Sequence, residues 1–272
     1  MIGSSLIRFT FSERFVNKLK VILGSKGDPY YELENISRLG RYNSGTTNLI
    51  NPVFKFVDSE SFINQYLEIF ENNILYFKSD KEKPLILDCG SNIGLSITYF
   101  KRLYPRSKII GFEPDPKIFD ILKYNLKNFD SEELELHNKA AWHKETTLSF
   151  IPDNADGGAL HKKGTLKVKS LDLNDYLRQP VELLKIDIEG AEHDVLPSIC
   201  GNLKNVKFLF LEVHLDRNKP EQIEDIFKLL RENHFTYSFN SVRNMNFKLL
   251  STPIEEEGFI QQLNIFAINE NS

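Results

Sequence analysis

Residues 84–100 read PLILDCGSNIGLSITYF, a short apolar run ending in Asp88 and Cys89, a turn carrying Gly90 and Gly94, and then a stretch of helical character. A strand that closes in a glycine-bearing turn and reopens as a helix is the opening βα unit of a nucleotide-binding sheet. The small residues let the backbone approach a ligand, and the helix N-terminus faces it. The glycines are spaced GxxxG, with Asn92 where a dinucleotide fingerprint carries its middle glycine. Asp88, two residues before Gly90, would repel a pyrophosphate and suits a cationic ligand. S-adenosyl-L-methionine has an ammonium, a sulfonium and no phosphate, so an acid at this point suits it.

Outward from that stretch the pattern repeats. Apolar runs occur at 85–89, 108–113, 134–137, 181–188, 208–213, 235–239 and 263–268. Helical spacing links Phe119, Leu122, Leu126 and Phe129 after the second run, and Ile223, Ile226, Phe227 and Leu230 after the fifth. Continuously apolar strands alternating with helices predict a parallel sheet covered on both faces, a doubly wound α/β domain of seven strands. No helical crossover is evident between the last two runs, which leaves an antiparallel return as the natural pairing of the final strand. Residues 1–80 differ in character: a helix is expected over 11–23, a Gly/Pro-punctuated stretch over 24–29, and a second helix carries Phe62, Ile63, Tyr66, Ile69 and Phe70. They are expected to form an N-terminal cap on a catalytic domain spanning 81–272.

Candidate site residues stand at the ends of these runs. Glu113 follows Gly90 by 23 residues, and a carboxylate there accepts hydrogen bonds from both ribose hydroxyls of a nucleoside. In VELLKIDIEGAEHDVL, period-2 alternation puts Lys185, Asp187 and Glu189 on one face, and in FLFLEVHL Glu212 and His214 share a face. Charges in apolar strands are costly unless paired or used. They therefore mark a crevice beyond the strand ends, where ligands of open α/β sheets bind. A buried Lys185–Asp187 ion pair and a core histidine are the structural alternatives. Asn138 and Trp142, after the third run, are candidates for reading and flanking an adenine. The turn at Asp156, Gly157 and Gly158 and the basic run His161, Lys162, Lys163, Lys167 and Lys169 predict an exposed hairpin with a solvated face.

Composition narrows the function classes. The chain has 272 residues, 41% hydrophobic and 26% charged, as a globular domain requires. Lys and Arg number 34 against 38 Asp and Glu, a net charge of −4 with no basic surplus for a phosphate backbone or an anionic membrane. Cys89 and Cys200 form no CxxC pair or zinc spacing. Arg8, Glu13 and Arg14 interrupt the apolar character of the N-terminus, so neither a signal peptide nor a membrane span is expected, and the cytoplasm is the expected compartment.

These residues resemble the FkbM family of S-adenosylmethionine-dependent methyltransferases. DCGSNIG followed by IIGFEPDP, the AAW segment, LDLNDYL and above all LLKIDIEGAE carry the resemblance from about residue 84 to 214, and RYNSGTTN and EIFENNILYF upstream look like longer bacterial members. The resemblance implies a class I methyltransferase fold of strand order 3-2-1-4-5-7-6 and methyl transfer to a hydroxyl of a sugar, glycan or related small molecule. Asp88, Gly90, Asn92, Gly94, Glu113, Asn138 and Trp142 would then serve the cofactor. Asp187 or His214 would be the general base, with Lys185 and Glu189 orienting the acceptor. No metal site is assigned, although a divalent ion on Asp187 and Glu212 remains an alternative. A nicotinamide-dependent oxidoreductase would want GxGxxG, which this chain lacks. An inactive binding module would have no use for the charges at 185–189 and 212–214. Base methylation of nucleic acid usually accompanies an (N/D)PP(Y/F/W) turn, and here the turn reads DIEG.

Overall fold

The computed structural model describes residues 29–50, 53–153, 155, 157–216, 222–241 and 259–271. Helix α1 (Pro29–Ser37) leads into β1 (Gly45–Thr47) and β2 (Phe54–Phe56), which pair antiparallel, then α2 (Ser59–Tyr66) and a π-helical turn (Leu67–Glu71). Asp58 caps α2, its carboxylate accepting from Ser61 N. The βα units follow as β3 (Leu85–Cys89), α3 (Leu95–Leu103), β4 (Lys108–Phe112), α4 (Pro116–Leu126) and β5 (Leu134–His137). The α4 start is written in EPDPK: Asp115 accepts from Lys117 N and Ile118 N, and Pro116 occupies the first turn, where its missing N–H costs nothing. Next come β6 (Ala140–Trp142), β7 (Thr147–Ile151), β8 (Ala159–Leu160), β9 (Leu166–Asp172), β10 (Val181–Ile186), α5 (Glu192–Ile199), β11 (Val206–Asp216), α6 (Gln222–Glu232), β12 (Phe235–Ser241) and β13 (Phe259–Asn269).

The main sheet runs β12-β13-β11-β10-β3-β4-β5. Its β11-β10-β3-β4-β5 pairs are parallel, while β13 runs antiparallel to both β11 and β12. The expected seven-stranded class I methyltransferase sheet, antiparallel last strand included, is therefore present. All six residues of β10 are buried, because both faces of the sheet are covered. Val195 and Leu196 of α5 and Ile226 and Leu230 of α6 pack on one face. On the other, Ile97 and Phe100 of α3 and Leu122 of α4 share one apolar cluster with Phe54, Phe56 and Phe62 from the N-terminal region.

One reading needs correction. The alternation expected over 181–188 stops at Ile186, and Glu189 (φ +55°) and Gly190 (φ +90°) turn the chain in left-handed backbone. Glu189 therefore does not sit on the strand face shared by Lys185. The hairpin expected around 156–169 belongs to a second, four-stranded sheet of order β6-β9-β7-β8. There Phe150 and Val168, with Leu148, Leu160 and Leu166, make a small core of their own, while His161, Lys162, Lys163, Lys167 and Lys169 face solvent. The expected helix over 11–23, residues 24–28, Asp156 and the loop over 242–258 lie outside the described residues. No helix among those described is long and apolar enough to cross a membrane.

Candidate active site

Strand register sets a row of side chains along the C-terminal edge of the main sheet. Cys89, Ile186, Leu211, Ile265 and Phe239 are mutual register partners. One position further on, Glu212 faces Asn264, and Asn264 faces Asn240. The ladder also continues on the other side, where Asp187 N donates to Cys89 O and Gly90 N to Phe112 O, each at 3.1 Å, and Glu113 N to His137 O at 3.0 Å. The row therefore reads Glu113, Gly90, Asp187, Glu212, Asn264, Asn240.

At the first end, the turn after β3 is shaped by left-handed backbone at Gly90 (φ +87°), Asn92 (φ +46°) and Gly94 (φ +95°). Asparagine tolerates that conformation, so the missing middle glycine leaves the turn intact. A Cβ on Gly90 would stand 1.8 Å from Asp187 O, and one on Gly94 would stand 2.9 Å from Leu122 Cδ1. Both glycines thus permit close packing of the loop on β10 and α4. The buried Glu113 carboxylate accepts from Asn92 N at 3.0 Å and Asp115 N at 2.8 Å. Burial pushes its pKa up to about 8 despite those two donors.

Asp88 and Lys185 form a frame beneath the loop. Lys185 Nζ donates to Gly90 O at 2.9 Å and lies 3.3 Å from both Asp88 Oδ1 and Asp187 Oδ2. Ser96 Oγ donates to Asp88 Oδ2 at 2.6 Å. Burial alone would lower the lysine's pKa, but Asp88 and Asp187 outweigh it and hold the ammonium above the usual lysine range. The ion-pair alternative is therefore realised, with the Lys185 ammonium shared between Asp187 and Asp88, whose Oδ1 has no hydrogen-bond partner among the described residues.

In the middle of the row, Glu189, Glu192 and Glu212 surround one imidazole. His214 is fully buried; its Nε2 lies 3.1 Å from Glu189 Oε2 and 3.8 Å from Glu212 Oε1, and its Nδ1 lies 3.3 Å from Glu192 Oε1. Burial works against its charge, yet Glu189 and Glu192 raise its pKa to about 11. An imidazole so held between carboxylates is a poor proton acceptor. Burial, reinforced by the charge of Asp187, holds the Glu212 carboxyl well above the ordinary carboxylate range. Glu192 was not among the expected site residues. Its Oε1 also accepts from Ile188 N at 3.1 Å and Gly190 N at 3.2 Å, fixing the turn that carries Glu189.

Beyond Glu212 the row opens into a polar cavity of about 520 Å³ between the π-helical turn and strands β12 and β13. Glu68, Asn72, Asn73, Tyr76, Asn264 and Phe266 are among its lining residues. They come from segments far apart in the chain, which is why sequence reading passed over them. Asn138 lies near Glu113, but its Nδ2 donates to Glu113 O at 3.0 Å and Pro114 O at 3.1 Å, so the amide ties the β4 and β5 ends together. Trp142 packs partly buried against the main core, with its ring 4.6 Å from that of His143. His137, stacked on Phe112 at 5.4 Å and 3.2 Å from Tyr176 Oη, was likewise unexpected.

The model of the methyltransferase FkbM domain matches residues 88–237, more than half of the chain. The chain belongs to the FkbM methyltransferase family. Among its relatives is methyltransferase sdnD of Sordaria araneosa, 29% identical over 174 residues, 49% of this chain and 67% of that protein. The 2-O-methyltransferase NoeI of Sinorhizobium fredii is 25% identical over 49% of this chain and 64% of its own length. The hexuronic acid methyltransferase AglP of Haloferax volcanii is 26% identical over 58% of this chain and 66% of its own. A solved methyltransferase FkbM from Methylobacillus flagellatus KT superposes with a TM-score of 0.47 at 16% identity, covering 74% of this chain and 47% of that one.

Proposed function

We propose that this chain transfers a methyl group from S-adenosyl-L-methionine to a hydroxyl oxygen of a sugar or similarly hydroxylated acceptor. The observation that carries the reading is the row at the sheet edge, which joins a nucleoside-type loop to a polar cavity through a cluster of carboxylates. The loop residues fit the cofactor. Glu113 would take the ribose hydroxyls, and Asn92 Oδ1, buried with no hydrogen-bond partner among the described residues, is an acceptor that a bound nucleoside would satisfy. Gly90, Gly94 and the N-terminus of α3 would hold the rest of the cofactor, and the Phe112, His137 and Tyr176 rings stand beside Glu113 for the adenine side. Bound there, S-adenosyl-L-methionine supplies a sulfonium-activated methyl whose carbon bonds to the acceptor oxygen as its bond pair to sulfur leaves.

This chain's residues must then align the acceptor and take its proton. Asp187 is partly exposed, next in the row to Gly90 and anchored through Oδ2 by Lys185, which makes it the carboxylate placed to receive that proton. The amides of Asn72, Asn240 and Asn264 offer the paired donors and acceptors that sugar hydroxyls need, and Tyr76 and Phe266 offer flat apolar faces. The relatives named for 2-O-methylation and for hexuronic acid support an oxygen on a sugar as the target. The direct experiment is mass spectrometry of glycan and nucleotide-sugar pools incubated with the protein and S-adenosyl-L-methionine. Sugar-containing species heavier by one methyl group are expected, and none with Asp187→Asn. Pools left unchanged by a folded protein would overturn the reading.

A further inference from the structure

Among the described residues, the central cluster holds more carboxylates than cations. Asp187, Glu189, Glu192 and Glu212 gather around His214, while Lys185 is already shared between Asp88 and Asp187. Such crowding is costly unless something positive completes it. One ligand atom from each of Asp187, Glu212 and His214 lies within 4.8 Å of the others. Ligands of a six-coordinate ion with bonds of about 2.1 Å stand roughly 3–4 Å apart, so a small inward movement of the three side chains would enclose an ion.

Their outer atoms are already fixed. Glu192 Oε1 sits on His214 Nδ1, and Lys185 sits on Asp187 Oδ2. A carboxylate behind a histidine ring is the arrangement that orients metal-binding imidazoles. An independent observation comes from β13. Asn264, 2% exposed and the register partner of Glu212, has a buried Oδ1 with no hydrogen-bond partner among the described residues. A carboxamide oxygen is a regular ligand of hard cations.

We propose that Asp187, Glu212 and His214, with Asn264 Oδ1 beside them, form a binding site for a divalent cation of the magnesium or manganese type. Oxygen donors with a single imidazole suit these ions better than zinc or copper. Binding replaces the proton on His214 Nε2, which is released to solvent. Asn264 also lines the cavity, and from that side the ion's remaining positions would take two neighbouring oxygens of the acceptor. That last role rests on the proposed function.

The test is a titration of chelator-treated protein with MnCl2, followed by the electron paramagnetic resonance of free Mn2+, beside a calorimetric titration with S-adenosylhomocysteine. Saturable binding of one Mn2+ per chain, displaced by MgCl2 and weakened at least about tenfold in Glu212→Gln, is expected. Asn264→Leu provides a second, uncharged probe and should weaken binding several-fold. No saturable Mn2+ binding up to millimolar concentration by a protein that binds S-adenosylhomocysteine overturns the metal site alone. Binding that both variants leave unchanged, with their melting curves cooperative, also overturns it. Mn2+ binding that responds to the variants in a protein that ignores S-adenosylhomocysteine supports the metal site and counts against the proposed function.

Discussion

The two ends of the row along the sheet edge are built on different electrostatic plans. At the β3–β4 end, Glu113 has two backbone donors, Asp88 has Ser96 and Lys185, and the loop is locked by close contact between Gly90 and β10. At the β10–β11 end, carboxylates outnumber cations among the described residues, and the cavity beyond is lined with amides. The difference teaches that the nucleoside end is preformed, whereas the acceptor end is completed by what binds to it. A preformed end should respond to substitution mainly through affinity and stability, and the other end mainly through turnover.

The largest effect is expected where the two ends meet. Asp187→Asn removes the proton acceptor but keeps the shape of the side chain. Turnover should fall by about 10²- to 10⁴-fold with S-adenosylhomocysteine affinity nearly unchanged; radiolabelled methyl transfer and calorimetry read the two quantities separately. Lys185→Met tests the frame shared by both ends. It leaves Asp88 buried without its partner, so chemical denaturation should show a loss of about 3–5 kcal/mol, and a loss below about 1 kcal/mol would mean that the frame is not what holds the loop.

A smaller effect separates the ends by pH. The Glu113 pKa in the folded protein is about 8 against an ordinary 4.5, so the folded state holds a proton that the unfolded chain has lost between those values. Stability from this group is therefore fully present below 4.5 and declines as pH rises towards 8. Denaturation midpoints should fall across that window in the native protein relative to Glu113→Gln, which lacks the titrating group. Parallel midpoints in the two proteins would show that Glu113 does not titrate there.

How much of this could be read from the sequence depends on whether the signal was local. All seven strands of the main sheet were legible because each is a short apolar run bounded by turn residues, and Gly90 and Glu113 were legible because their spacing is set by one strand and one helix. Glu189 misled because a left-handed backbone at a glutamate leaves no mark in the sequence, so alternation was carried three residues too far. The strand at 166–172 did carry a period-2 signal in LKVKSLD. Its lysines were correctly taken as solvated, while Leu166 and Val168 between them went unused. Glu192 and the cavity were hidden for another reason. Their roles arise from contacts between segments some 20 to 200 residues apart, and no local pattern encodes these.

The division of the row is tested most directly by calorimetric titration of S-adenosylhomocysteine into Glu113→Gln and Glu212→Gln under identical conditions. Affinity should drop about tenfold or more in Glu113→Gln, because one of the two oxygens offered to the ribose hydroxyls is replaced by an amide nitrogen that only donates, and should stay within about twofold of the native protein in Glu212→Gln. Unchanged binding in Glu113→Gln, or a drop in Glu212→Gln as large as that in Glu113→Gln, would contradict the assignment of separate cofactor and acceptor ends.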